Sequence, residues 1–120
     1  MKTVLNFVFL VVLATSAFAG DFSYRGIRPD FIIDVRTPEE FASGHIDGAI
    51  DVPVEVVGQS IRAVKGVKPE SKLLVYCRSG RRSAAATAVL KQEGYSNVTD
   101  GGGIDALAQS LKKCSSSDPC

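Results

Sequence analysis

The chain has 120 residues, which is enough for one domain and too few for two. Its acidic and basic side chains nearly balance, at a formal net charge of +1. A domain so close to neutral lacks the excess of positive charge that is typical of proteins that bind nucleic acid or membrane surfaces. We therefore expect neither of these among its partners.

The N-terminus has the pattern of a targeting segment. Lys2 is followed by an apolar run over 4–13 and then by small residues that end in an A-x-A site. This order is typical of a secretory signal peptide, here over 1–19. A membrane anchor is the weaker interpretation, because the apolar run is shorter than the roughly 20 residues that span a bilayer. We expect a periplasmic or secreted protein with one domain over 20–113 and a flexible tail over 114–120.

Apolar runs alternate with helical patterns along the rest of the chain. Strands are predicted over 31–35, 49–52, 72–77 and 97–99, and helices over 38–43, 54–64, 84–93 and 104–113. The first helix has strong end signals, with Thr37 as its cap, Pro38 at its first position, Glu40 at its third and Gly44 at its end. Strands that alternate with helices through short connections indicate a parallel sheet with helices on both faces. We therefore predict an α/β fold.

A run of three glycines, Gly101 to Gly103, precedes the last helix. We interpret it as a tight loop. As a phosphate-binding loop it is a weak candidate, because no Walker or G-x-G-x-x-G pattern surrounds it.

The stretch over 72–83 carries the candidate chemistry. Cys77 ends an apolar strand, a basic loop follows, and a helix starts near Ser83. Ligands of open α/β sheets bind at the carboxyl ends of strands, where loop N–H groups and a helix N-terminus favour an anion. A free cysteine is often simply buried, but a basic loop containing a glycine does not belong in a core. We predict a reactive thiolate at Cys77 with a lowered pKa. The predicted anion-binding residues are Arg78, Ser79, Gly80, Arg81, Arg82 and Ser83.

This stretch resembles the active-site loop of the rhodanese (sulfurtransferase) family. The family pattern is a cysteine, a glycine three residues on and an arginine two residues beyond, which Cys77, Gly80 and Arg82 match. A second match lies upstream, over 33–41 and 44–49. The resemblance implies a three-layer α/β/α rhodanese-like domain with a small central parallel sheet of four to five strands. It is closest to the short, exported single-domain members of bacteria.

The resemblance also implies an activity, that of a thiosulfate sulfurtransferase. In this scheme Cys77 takes sulfane sulfur from thiosulfate, carries it as a persulfide and passes it to cyanide or a thiol. Neither a metal nor an organic cofactor is expected, and the protein is expected to be a monomer. The alternative is a non-enzymatic persulfide carrier or a redox-sensing binding domain with the same loop. A phosphatase or arsenate reductase is disfavoured, because their loops place five residues between cysteine and arginine, where this chain has four.

Several other residues have two interpretations. Cys114 and Cys120 form a small disulfide loop or serve as resolving or sulfur-accepting thiols for Cys77. His45, the single histidine, has a structural role in its turn or acts as a general base. Asp34 bonds a neighbouring loop or orients an arginine of the active loop. Arg36 pairs with a nearby carboxylate, and is a weak candidate for an anion contact.

Overall fold

The computed structural model describes residues 22–117 and 120. The strands are β1 (Phe22–Ser23), β2 (Phe31–Asp34), β3 (Ile50–Asp51), β4 (Lys72–Cys77), β5 (Asn97–Gly103) and β6 (Lys112–Lys113). The helices are α1 (Pro38–Ser43), α2 (Val57–Ser60), which continues as a 3-10 turn over Ile61–Ala63, α3 (Arg81–Gln92) and α4 (Ile104–Ser110).

Four strands form the central sheet in the order β3-β2-β4-β5. Every neighbouring pair in it is parallel. The carboxyl ends of these strands therefore meet at one edge of the sheet, and Cys77 at the end of β4 lies beside Gly103 at the end of β5. The predicted three-layer α/β/α architecture is confirmed, with four strands in the parallel sheet.

The two faces of the sheet are covered by separate clusters of apolar side chains. Residues of β4 alternate between them, as the period of two in a strand requires. Leu73, Val75 and Cys77 pack towards α2 and α3, whereas Leu74 and Tyr76 pack with Leu107 of α4. Cys77 thus belongs to the face that α3 covers, and this places its side chain beneath the N-terminal turn of that helix.

The signals at the start of α1 act as predicted. Thr37 caps the helix, Pro38 lies at its first position and Glu40 completes a capping box with the Thr37 backbone. Gly44 follows the last helical residue and donates its N–H to the Phe41 carbonyl. α3 begins at Arg81, two residues before Ser83, since Gly80 serves as its N-cap.

The glycine run is not the tight loop that we predicted. Residues 101–103 continue β5, which pairs with β4 as far as Cys77. The pairing shifts register between Val75 and Tyr76, and this irregularity accommodates one extra residue of β5. Gly102 has a φ of 73°, a left-handed conformation that glycine adopts without strain. The run is therefore an irregular strand end beside the loop that follows Cys77.

The first and last strands of the domain form hydrogen bonds with each other. β1 and β6 form a two-stranded antiparallel ribbon outside the central sheet. The predicted last helix was too long, because α4 ends at Ser110 and the chain turns extended at Leu111. Of the two interpretations of Cys114 and Cys120, the structure contains the disulfide.

The predicted signal peptide, 1–19, lies outside the described residues. Within residues 22–117 and 120, no helix has the length and apolar character needed to cross a bilayer.

Candidate active site

Cys77 is the last residue of β4 and is completely buried. The chain then turns through three residues, of which Arg78 and Ser79 are exposed, and enters α3 at Arg81. The turn depends on Gly80, whose φ of 103° is a conformation that side-chain-bearing residues rarely adopt. The loop therefore folds back over the sulfur, and its N–H groups point inward.

The sulfur accepts hydrogen bonds from this loop. The Gly80 N–H donates to Cys77 Sγ over 3.0 Å. Burial is the largest single influence on the pKa of Cys77 and raises it. Hydrogen bonds from the Ser83 hydroxyl and from the N–H groups of Ser83, Gly80 and Ser79 oppose burial, and the net effect lowers the pKa. The predicted lowering of the thiol pKa thus has a specific origin in hydrogen bonds.

We expect the alkylation of Cys77 to show this lowered pKa. The rate of iodoacetamide reaction follows the thiolate fraction, so its midpoint should lie below the roughly 8.5 of a free cysteine. The measurement is a pH titration of that rate on a Cys114→Ser/Cys120→Ser variant, in which Cys77 is the only thiol. A midpoint at or above the free value would contradict the hydrogen-bond argument.

Glycines of β5 make room for the active loop. A Cβ added to Gly103 would lie 2.7 Å from the Arg78 carbonyl oxygen, closer than real Cβ atoms approach. The same atom would lie 3.4 Å from Ser79 Cα. The backbone of the loop therefore rests directly on the end of β5. The glycine run that resembled a weak phosphate-binding motif supports the cysteine loop instead.

The three arginines of the predicted anion site differ in their surroundings. Arg78 and Arg81 are exposed, and among the described residues no carboxylate pairs with either. Arg82 forms a two-pronged ion pair with Glu40 of α1, with N–O distances of 2.7 and 3.0 Å. The Arg82 guanidinium is thus already bonded to protein, whereas the other two are available to an anion in solution.

Glu40 joins the active loop to the start of α1. Besides Arg82, it accepts hydrogen bonds from the backbone N–H and the hydroxyl of Thr37. The hydrogen bonds to Arg82 are the main reason that the pKa of Glu40 falls from an ordinary 4.5 to about 2. The carboxylate therefore stays ionised down to strongly acidic pH, and Arg82 keeps its partner.

We expect the contribution of this pair to stability to disappear in acid. A depressed carboxyl pKa stabilises the fold above the unfolded pKa of about 4.5, and that stabilisation is lost as the pH falls through about 2. Glu40→Gln keeps the capping box but loses the charge, so it should cost at most about 1 kcal/mol at pH 7.

The check on this expectation is urea unfolding of the wild type and Glu40→Gln between pH 7 and pH 2. The two free energies of unfolding should converge only in the acidic range. A difference that stays constant across that range would contradict an ionised partner for Arg82.

A buried cluster of charged and polar groups lies beside the cysteine loop. The single Nε–H of Arg36 is shared between the two carboxylate oxygens of Asp34, each 3.0 Å away, and a terminal nitrogen of Arg36 donates to Asp34 over 2.7 Å. The same nitrogen donates to the Gly44 carbonyl, and the Tyr76 hydroxyl accepts the Ile46 N–H. The cluster therefore fixes the turn after α1 to the ends of β2 and β4.

This cluster decides between the interpretations of Asp34 and Arg36. Arg36 pairs with a carboxylate, as expected, and is buried. The hypothesis that Asp34 orients an arginine of the active loop is wrong, because its partner is Arg36. Glu40 has that role with Arg82, and the sequence indicated it only as a helix cap.

His45 has the contacts of a structural residue. Its ring stacks on Phe41 with 3.7 Å between centroids, and Nδ1 lies 2.9 Å from the Phe41 carbonyl oxygen. Since a carbonyl only accepts, Nδ1 carries the proton in this contact. The structure thus favours the structural interpretation over that of a general base.

The disulfide lies away from the cysteine loop. Cys120 lines a groove together with Lys72 and Asn97, which are the first residues of β4 and β5. Cys77 ends β4, at the opposite edge of the sheet. This placement favours a plain disulfide over a resolving or sulfur-accepting role.

Within residues 22–117 and 120, no group of three His, Cys, Asp or Glu side chains is arranged to hold a metal ion.

Residues 23–109 match the rhodanese-like domain family. The chain belongs to this family. One relative, the thiosulfate sulfurtransferase PspE of Escherichia coli (strain K12), is 37% identical over 76 residues, or 63% of this chain and 72% of that protein. A sulfurtransferase of Allochromatium vinosum is 39% identical over 79 residues, or 65% and 71% of the two chains.

Solved structures show the same relationship. A rhodanese with anions from E. coli aligns with a TM-score of 0.62 and 34% sequence identity, over 69% of this chain and 96% of that one. The human single-domain sulfurtransferase TSTD1 aligns with a TM-score of 0.58 and 26% identity, over 66% and 80%. The resemblance drawn from the two sequence motifs is thereby confirmed.

Proposed function

We propose that this rhodanese-like domain is a thiosulfate sulfurtransferase with Cys77 as its nucleophile. The observation that carries the proposal is the sulfur itself, which lies at the end of β4 with the Gly80 N–H 3.0 Å away and a lowered pKa. The names of the relatives support the transfer of sulfur as the reaction class.

The reaction proceeds in two steps. In the first, the Cys77 thiolate attacks the outer sulfur of thiosulfate, the sulfur–sulfur bond of the donor breaks, and sulfite leaves with the electron pair. Cys77 then carries a persulfide, whose outer sulfur holds the negative charge. In the second, cyanide or a thiolate attacks that outer sulfur, and the Cys77 thiolate leaves. This is nucleophilic catalysis through a covalent intermediate.

The surroundings of the sulfur suit anionic reactants. Thiosulfate, the persulfide and sulfite all carry negative charge, and the loop N–H groups of Ser79 and Gly80 are aimed at the sulfur. Arg78 and Arg81 are exposed beside the loop and supply positive charge to attract the donor. Arg82 has an indirect role, because its ion pair with Glu40 holds the first turn of α3 in place.

The same arrangement argues against a phosphatase. A phosphate cradle places five residues between its cysteine and its arginine, and here four separate Cys77 from Arg82. Arg82 also directs two of its N–H donors to Glu40. A persulfide carrier needs the same cysteine loop as an enzyme does, so turnover separates these two functions.

The discriminating experiment is thiocyanate formation from thiosulfate and cyanide, measured by colorimetry under steady-state conditions. The proposal expects ping-pong kinetics, with saturation in both substrates. A protein that is loaded by thiosulfate but turns over negligibly with cyanide would be a carrier. A protein that is not loaded at all would refute the proposed donor.

We also infer that the protein is exported, on the strength of the signal-peptide pattern over 1–19. The mature protein should then begin at Gly20 and be found in the periplasm or the medium. Intact mass spectrometry of the protein from each cell fraction tests this. Protein that retains Met1 in the exported fraction, or that stays in the cytoplasm, would contradict it.

A further inference from the structure

β5 is the outermost strand on its side of the central sheet. It pairs with β4, and among the described residues no strand pairs with its outer side. The N–H and C=O groups that point outward from such a strand are a template for a further strand. Asn97 and Asp100 are exposed, and Thr99 between them is half-buried. Solvent therefore reaches the outer side of β5 over its first residues.

The regular part of this template is short. The register of β5 against β4 is unbroken from Asn97 to Asp100 and shifts after that. Gly102 donates its N–H to the Asp100 carboxylate over 2.9 Å, so the strand is partly closed by its own side chain there. An added strand would therefore pair with the first residues of β5, far from the cysteine loop.

A groove of about 580 Å³ follows the same residues, from Ser96 to Thr99. On one side it is bounded by Lys91 near the end of α3, which covers one face of the sheet. On the other side it is bounded by residues 26–28, which follow Tyr24 of the opposite face. The groove therefore contacts both faces at the point where β5 is open, as a site for an added strand requires.

The groove is positively charged. Its lining side chains, within the described part of the chain, include three exposed cations and no carboxylate; the cations are Arg28, Lys72 and Lys91. The neighbouring carboxylates have other contacts, since Glu93 pairs with Arg62 and Asp30 accepts the backbone N–H of Lys72. These cations would repel a second copy of the same surface and attract an acidic one.

We propose that the outer side of β5 over 96–100 binds an acidic, extended segment of a partner protein, which adds to the sheet as a further strand. Backbone hydrogen bonds supply the affinity of such a complex, and side chains supply its selectivity. Alternate side chains of the added strand face opposite sides of the sheet. One set meets Lys91, and the other meets Ile27, an apolar side chain that is 42% exposed. The favoured segment therefore alternates acidic and apolar residues.

The first experiment is a titration of the isotope-labelled protein with a short, end-blocked peptide of alternating glutamate and valine, followed by NMR. The amide signals of 96–100 should shift, and amides of β5 should exchange more slowly with solvent when the peptide is saturating. A peptide of alternating lysine and valine is the control and should not bind. Equal binding of both peptides, or shifts without slower exchange, would overturn the proposal.

The second experiment uses two variants with the same change of charge. Lys91→Glu replaces an attraction by a repulsion and should weaken binding of the glutamate peptide about fivefold or more. Lys65→Glu is the matched control, because Lys65 is exposed and does not line the groove, and it should change the affinity less than about twofold.

The readout is peptide affinity, so the result does not depend on whether Cys77 transfers sulfur. An equal loss in both variants would show attraction by net charge alone and overturn the site. Failure of the glutamate peptide to bind the wild type would overturn it too, as would β5 amides that become protected only when the protein associates with itself.

Discussion

Replacing Cys77 by serine should lower thiocyanate formation by more than about a thousandfold, as the loss of a nucleophile does in other covalent mechanisms. The serine hydroxyl can accept the Gly80 N–H as the sulfur does, so the loop keeps its hydrogen bond. It is however not ionised near neutral pH, and it cannot hold sulfane sulfur. Steady-state assays of Cys77→Ser and Cys77→Ala, with circular dichroism to verify folding, test this expectation.

The other two cysteines provide the control. Cys114→Ser/Cys120→Ser should retain nearly all of the turnover, because the disulfide lies at the edge of the sheet opposite to Cys77. Substantial turnover in Cys77→Ser would assign the chemistry to another group. A large loss in the double variant would restore the sulfur-accepting role for the tail.

The largest effect on stability should come from Asp34→Ala. Asp34 is fully buried, and its removal leaves the Arg36 guanidinium, only 6% exposed, without its carboxylate. Breaking one side of a buried pair typically costs about 3–5 kcal/mol. This is a large share of the roughly 5–15 kcal/mol that stabilise a domain. Urea unfolding monitored by circular dichroism measures the loss.

An exposed ion pair supplies the comparison for this variant. Arg62 and Glu93 meet at 2.7 Å, but their side chains are 67% and 37% exposed. Glu93→Ala should therefore cost no more than about 1 kcal/mol. Asp34→Leu/Arg36→Met, which removes both buried charges, should recover part of the loss. A cost for Asp34→Ala similar to that for Glu93→Ala would show that the buried pair contributes little.

Local patterns determined much of this fold, and could therefore be predicted. The capping box at Thr37 and Glu40 involves residues three apart, and the apolar run of β4 needs no partner to be recognised. The end of β4 at Cys77 followed from the change from apolar to basic residues. For the same reason Cys77 could be proposed as the nucleophile without knowledge of its neighbours.

The rest depended on contacts that are distant in sequence. Glu40 and Arg82 are 42 residues apart, and nothing local to either residue indicates the bond between them. β1 and β6 are two residues each and exist only because they pair. The glycines of β5 predicted a turn, because the conformational freedom of the glycine backbone is usually needed in turns. Here the absence of a side chain on Gly103 allows the backbone of Arg78 to approach closely.

The buried polar side chains were likewise assigned only in part. Asp34 and Arg36 were identified as residues with partners, but their bond to each other required the bend of the chain after β2. Ser83 was expected among the anion-binding residues, and its burial beneath the loop could not be read from its position near a helix start.

The most direct test of the account is the mass of the protein after incubation with thiosulfate. If Cys77 is the nucleophile, the wild type should gain about 32 Da, the mass of one sulfur atom, through the covalent intermediate. Peptide mapping should place that sulfur on Cys77, and cyanide should remove it as thiocyanate. A protein of unchanged mass, or sulfur found on Cys114 or Cys120 instead, would contradict the account.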